Sequence, residues 1–164
     1  MNTKTKVLIG VAAVLAAVGI ALATPIVGLI SPFLAVGTHN SDLEADGSGV
    51  STSGASFRVQ LNADGPSTSS IQDSSIGAGG HNGWHSHPGM VVVILLSGSI
   101  TWYDANCTPT NYKAGDAWVE GGQIHAFKVT SATPIHALAY FLTAQGVPVR
   151  TDQPAPECAS GLGL

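Results

Sequence analysis

Gly79-Gly80-His81-Asn82-Gly83-Trp84-His85-Ser86-His87-Pro88-Gly89-Met90-Val91-Val92-Val93-Ile94-Leu95-Leu96-Ser97-Gly98 is the stretch on which the fold turns. Two histidines two residues apart share a face when the chain is extended. Two imidazoles on one face can meet one metal ion, with positions left for ligands from a neighbouring strand. Residues 91–96 are apolar without alternation, the pattern of a strand buried on both sides. Ser97-Gly98-Ser99 then makes a tight turn, and residues 100–103 return as the next strand.

The same rhythm continues downstream. Ala114-Gly115-Asp116 is a turn before a strand at 117–120, followed by strands at 124–130 and 134–143. His125 lies in the first of that pair, where a third imidazole completes a facial set of three. Upstream, residues 28–37 read as an early strand and 39–54, polar and rich in Gly and Ser, as a loop. Phe57, Val59 and Leu61 alternate with polar residues over 55–62, which predicts a half-buried strand. Asp64-Gly65-Pro66 marks a turn, 69–76 a weaker strand, and 77–83 a glycine-rich approach to the histidines. Short strands at this spacing predict an all-β sandwich or barrel. The tail after Gly146, with its prolines, reads as irregular and exposed.

Lys4 and Lys6 precede an uncharged apolar run over 7–23 that ends in Ala21-Leu22-Ala23, the layout of a secretory signal peptide. An uncleaved membrane anchor is the alternative, and both place the domain outside the cytoplasm, secreted or periplasmic. The expected organisation is signal peptide 1–23, N-terminal strand and polar loop 24–54, barrel 55–146 and Pro-rich tail 147–164. Only 10% of the residues are charged and the formal net charge is -4. With two of six cations in the leader there is no basic patch, which argues against nucleic-acid binding. The two cysteines, Cys107 and Cys158, form an even pair in an exported chain and so predict a disulfide from a polar loop to the tail. A loop of that length contributes about 4 kcal/mol in the chain-entropy model. Neither cysteine sits in a C-x-x-C motif, so metal ligation by sulfur is the weaker alternative.

The histidines and glycines together resemble the two motifs of the cupin family. The first, G-x5-H-x-H-x3-E-x6-G, is met by Gly79, His85, His87 and Gly98; the second, a Gly-Asp turn followed by P-x-G-x-x-H, by Gly115, Asp116, Gly122 and His125. The resemblance covers about 79–143. It implies a double-stranded β-helix, a jelly-roll barrel, with His85, His87 and His125 on a divalent ion (Fe, Mn, Ni, Cu or Zn). Two positions depart from the motifs. Val91 stands where many cupins carry a ligating Glu, and Glu120 stands where the second motif has Pro. What remains resembles the three-histidine cupins, some of which are iron enzymes handling dioxygen. On this reading the ion keeps its full double charge and a further water-filled position. Gly83-Trp84-His85-Ser86-His87-Pro88-Gly89, Cys107-Thr108-Pro109 and Cys158 also resemble a group of small exported bacterial cupin proteins without a settled activity.

Gln123, Glu120 and His81 are additional ligand candidates. Gln123 shares the parity of His125 and Glu120 has the opposite parity; a surface loop is the simpler place for either. His81 reads more simply as a solvated loop residue. Val91, Val93 and Phe127 are expected to line an apolar pocket. Trp84 points away from the metal side by parity. Trp102, Tyr103, Trp118 and Tyr140 read as barrel packing, and His136 as a buried, hydrogen-bonded core histidine. Three functions fit: a metal-dependent enzyme, oxidoreductase of dioxygenase type or isomerase, acting on a small organic molecule; a non-catalytic binding module for a small ligand or metal ion; or a structural domain stabilised by its metal. The partner is a small molecule, and a homodimer is left open.

Overall fold

The computed structural model describes residues 24–164, so the leader expected over 1–23 lies outside the described residues. Thirteen strands and one 3-10 turn follow in chain order. They are β1 (Val27–Ile30), β2 (Phe33–His39), β3 (Leu43–Val50), β4 (Ser56–Ala63), β5 (Ser67–His81), β6 (His85–Ser86), β7 (Met90–Ser97), β8 (Ser99–Asp104), β9 (Pro109–Lys113), β10 (Ala117–Glu120), β11 (His125–Val129), β12 (Ile135–Ala144) and β13 (Thr151–Asp152). Among the described residues no helix is long and apolar enough to cross a membrane.

Eleven strands form one curved antiparallel sheet. One wing runs β10-β7-β12-β5, with β1 and β2 also paired to β5. The other carries β11 between β8 and β6, with β9 beyond β8 and β13 beyond β6. The fifteen-residue β5 joins the wings: Ser67–Ile76 lies along β12, while His81 at its end pairs with Lys128 of β11. The sheet thereby curls into a nearly closed barrel. Its core is Ile76, Val91, Leu95, Ile100, Ile135 and Phe141, with smaller residues of β12 between them. Two glycines permit close approaches. A Cβ at Gly89 would lie 2.0 Å from the carbonyl oxygen of Leu142, and one at Gly98, where φ is +78°, would lie 2.8 Å from both Ile135 Cγ2 and Ser131 Oγ.

Several expectations change. The 39–54 stretch is not a loop: β3 pairs in full register with β4 as a separate two-stranded sheet. The alternation over 55–62 has no buried face to serve, since Phe57 and Val59 stay exposed. In β7 only alternate residues are buried, and Ile94 and Leu96 face outward. Its unbroken apolar run therefore reflects an apolar outer surface, not burial on both sides. Residues 77–81 of the glycine-rich stretch continue β5, with Gly79 at φ +72° inside it, and the strand ends at His81. Residues 109–111, expected within the polar loop around Cys107, lie in β9. The tail is held too, because β13 pairs with β6 and Cys107 is bonded to Cys158.

Candidate metal centre

His85 begins β6 and His125 begins β11, and the two are direct partners across that strand pair. His87 follows two residues after His85, its amide donating to the Gly121 carbonyl at 3.0 Å. Glu120 ends β10, directly opposite Val91 of β7. Donor atoms of His85, His87, Glu120 and His125 all lie within 4.8 Å of one another, and all four residues are buried.

The hydrogen bonds of the rings fix their tautomers. Nδ1 of His85 lies 2.8 Å from the Gly83 carbonyl oxygen, that of His87 2.6 Å from Val149 O, and that of His125 2.8 Å from Gln123 O. A carbonyl oxygen only accepts, so each Nδ1 carries the proton and each neutral ring keeps a bare lone pair at Nε2. Nε2 of His87 and Nε2 of His125 are buried without a hydrogen-bond partner among the described residues. They nevertheless lie 3.2 and 3.3 Å from Oε2 of Glu120. Lone pairs of two nitrogens and a carboxylate oxygen converging in a buried site repel one another unless a cation lies among them. Ligating imidazoles held through the far ring nitrogen are the usual outer support of a metal site.

The carboxylate is oriented with equal care. Its Oε1 accepts from Nε1 of Trp118 at 2.8 Å and Nε1 of Trp102 at 3.0 Å, leaving Oε2 for the histidine side. Burial alone would raise the Glu120 carboxyl; in the metal-free site, hydrogen bonds from His125 and His87, which need a proton at Nε2, and the Trp118 donor outweigh it and hold the group well below the usual carboxylate range. Burial, and then the neighbouring His125, push His85 down to about 2, so its ring stays neutral. The donor set is thus three neutral nitrogens and one anionic oxygen, which suits a divalent transition ion.

The structure brings together some of the candidate ligands and not others. His85, His87 and His125 are brought together. Glu120 joins them, contrary to the parity argument, which counts alternation across 121–124. That segment is a turn, not a strand, so alternation does not carry through it. The Val91 departure therefore does not leave the centre without a carboxylate, and a bound divalent ion would keep one net charge, not two. Gln123 is exposed and contributes only its backbone carbonyl. His81 is buried, not solvated, and lies outside the four-residue group. His136 is partly exposed and paired with Asp73, not sealed in the core. Sequence reasoning missed Trp102 and Trp118 as carboxylate supports, and Val149 as the partner of His87. The indole donors carry no local motif, and the tail carbonyl reaches the site only through the fold.

Val91, Val93 and Phe127 line a cavity of about 170 Å³, together with Ile135, Phe141 and Arg150; His85, His87 and Glu120 are part of its polar lining. A curled antiparallel sheet with this two-wing order, holding an H-x-H pair and a third histidine on facing strands inside it, decides the fold type. The barrel is of the cupin type. No family model matches the chain, and no curated protein matches it. Solved structures similar to the cupin-type barrel include an uncharacterized conserved protein with a double-stranded β-helix domain from Klebsiella pneumoniae, at 21% identity over 52% of this chain and 76% of that one, TM-score 0.46. A cupin domain from Bordetella pertussis is similar at 14% identity over 74% of this chain and 100% of that one, TM-score 0.47. A predicted oxalate decarboxylase from Thermotoga maritima is similar at 21% identity over 49% of this chain and 83% of that one, TM-score 0.41.

Proposed function

We propose that this chain is an exported metal protein that binds one divalent ion through His85, His87, Glu120 and His125 and acts on a small organic molecule in the adjoining cavity. The observation that carries the reading is the convergence of bare Nε2 atoms on Glu120 Oε2, with every Nδ1 proton already committed to a backbone carbonyl. The Cys107–Cys158 disulfide supports export, because such bonds persist in oxidising compartments.

When bound, an ion of this kind supplies Lewis acidity to a substrate oxygen and, if redox-active, electrons for dioxygen chemistry. The chain's own residues do the rest. Val91, Val93, Phe127 and Phe141 keep the cavity apolar and limit water. Trp102 and Trp118 hold the carboxylate so that one oxygen stays free for the ion. Among the described residues lining the cavity, Glu120 is the only carboxylate, and it belongs to the donor set. No separate acid or base stands by for hydrolysis, which favours an oxidoreductase over a hydrolase. The same feature favours, as a second reading, a binding module without catalysis.

The test loads the metal-free protein with Fe²⁺ and follows dioxygen consumption with a panel of small organic substrates. Consumption that depends on substrate and is lost in His85→Ala supports the oxidoreductase. An ion that binds tightly, with no consumption and no substrate turnover under any divalent metal, supports the binding module instead.

A further inference from the structure

Among the described residues, Arg150 is the one cation on the wall of the cavity. It stands on the returning tail, between Val149, whose carbonyl holds His87, and β13, which pairs with β6. Its Nε donates to Asp152 Oδ1 at 2.6 Å, while its Nη2 is buried and has no hydrogen-bond partner among the described residues. A guanidinium carries five donors and no acceptor, and a buried donor left unpaired is unfavourable. The rest of the wall offers it little. Ser31, Gln72 and Ser74 bond among themselves, and the remaining lining is largely apolar.

The charge count points the same way. A divalent ion with three neutral imidazoles and one carboxylate leaves one positive charge, and the Arg150–Asp152 pair adds none. An apolar cavity with an uncompensated positive charge favours an anion over a neutral guest. Size limits that anion: an apolar cavity of roughly 150 Å³ holds benzene, and this one measures about 170 Å³.

We propose that the ligand of this site is a small organic carboxylate with a compact apolar body, and that Arg150 is the specificity-determining residue that takes its carboxylate through the unpaired Nη2. The apolar part lies against Val93, Phe127 and Phe141. This rests on the metal reading above, since the ion supplies the remaining positive charge. Arginine suits the task because its planar fork matches a carboxylate.

The test uses Zn²⁺-loaded full-length protein, with metal content measured first for every variant. Isobutyrate and isobutyramide, each with as many non-hydrogen atoms as benzene, are titrated calorimetrically. The wild type binds isobutyrate about ten- to a hundredfold more tightly than the amide, the range for a charge-assisted hydrogen bond. Arg150→Gln loses that preference while its amide affinity stays within about twofold, as a change confined to the charged pair requires. Asp152→Asn, which frees the guanidinium without removing it, keeps the preference. Metal-loaded Arg150→Gln that still prefers isobutyrate overturns this assignment alone. Loss of the preference in Asp152→Asn as well makes tail folding the cause and also overturns it. A wild type that takes up no ion overturns the metal reading and this proposal with it.

Discussion

Glu120 and Val91 are direct partners across the β10–β7 pair, so the carboxylate of the centre enters from the strand facing the position where the sequence motif expects it. Opposed residues of an antiparallel pair have Cβ atoms roughly 5 Å apart on the same face. A carboxylate moved by one strand can still reach the same ion. Glu120→Gln keeps the shape and the indole acceptor but removes the charge, and it weakens metal binding by about tenfold or more. Adding Val91→Glu to that variant restores much of the affinity. Competition against a chromophoric chelator measures both; a double variant no better than Glu120→Gln shows that position 91 cannot serve the ion.

The two indoles act through Glu120. Trp102→Phe and Trp118→Phe keep most of the ring packing and delete one donor each to Oε1. Loss of such outer support weakens metal sites by about ten- to a hundredfold. The expected result is reduced metal affinity in each variant with a metal-free melting temperature close to that of the parent. Unchanged affinity in both would show that the carboxylate needs no orientation.

Acid destabilises the metal-free protein from two groups with the same sign. His85 titrates at about 2 in the fold against an ordinary value of 6.5, so the unfolded chain binds a proton that the folded chain refuses. Its contribution is fully present above 6.5 and is lost as the pH falls from there toward about 2. Glu120 is also depressed in the fold, so its contribution is present above the ordinary carboxylate value and is lost below it. Each group adds at most about 1.4 kcal/mol per pH unit within its window. Denaturation midpoints should therefore fall between neutral pH and about pH 5, the range in which the unfolded His85 takes up its proton. His85→Gln should flatten that fall. A midpoint that is constant or rises on acidification contradicts the assignment.

Cys107–Cys158 spans 51 residues and fastens the tail that supplies Val149 and Arg150. Removing it with Cys107→Ser/Cys158→Ser costs about 4 kcal/mol by loop entropy. Because the His87 proton is held by the Val149 carbonyl, metal affinity should fall along with stability. Chelator competition at a temperature where the variant is folded separates the two effects. Full affinity there would mean that the tail keeps its place without the bridge.

The barrel was legible because its signals are local. The turn at Gly98, the H-x-H pair and the strands around His125 each declare themselves within a few residues. What escaped depends on contacts between distant segments. Glu120 ranks only as an additional candidate because strand parity is carried through Gly121–Gly122, where the chain is not a strand and parity has no meaning. Trp102 and Trp118 looked like packing because an indole N–H reveals its acceptor only in three dimensions. The tail read as loose because proline-rich composition hides the single carbonyl that fixes His87. The β3–β4 pair is the opposite case: β3 reads as a loop and β4 as a strand, and β3 is ordered by pairing along β4 in a separate sheet.

Elemental analysis of the protein purified from its native source without added metal or chelator tests the central claim most directly. About one divalent transition ion per chain, lost in His85→Ala/His87→Ala/His125→Ala and reduced in Glu120→Gln, is the result expected of a mononuclear centre. A folded native protein without stoichiometric metal, or a triple variant that keeps its full complement, would contradict it.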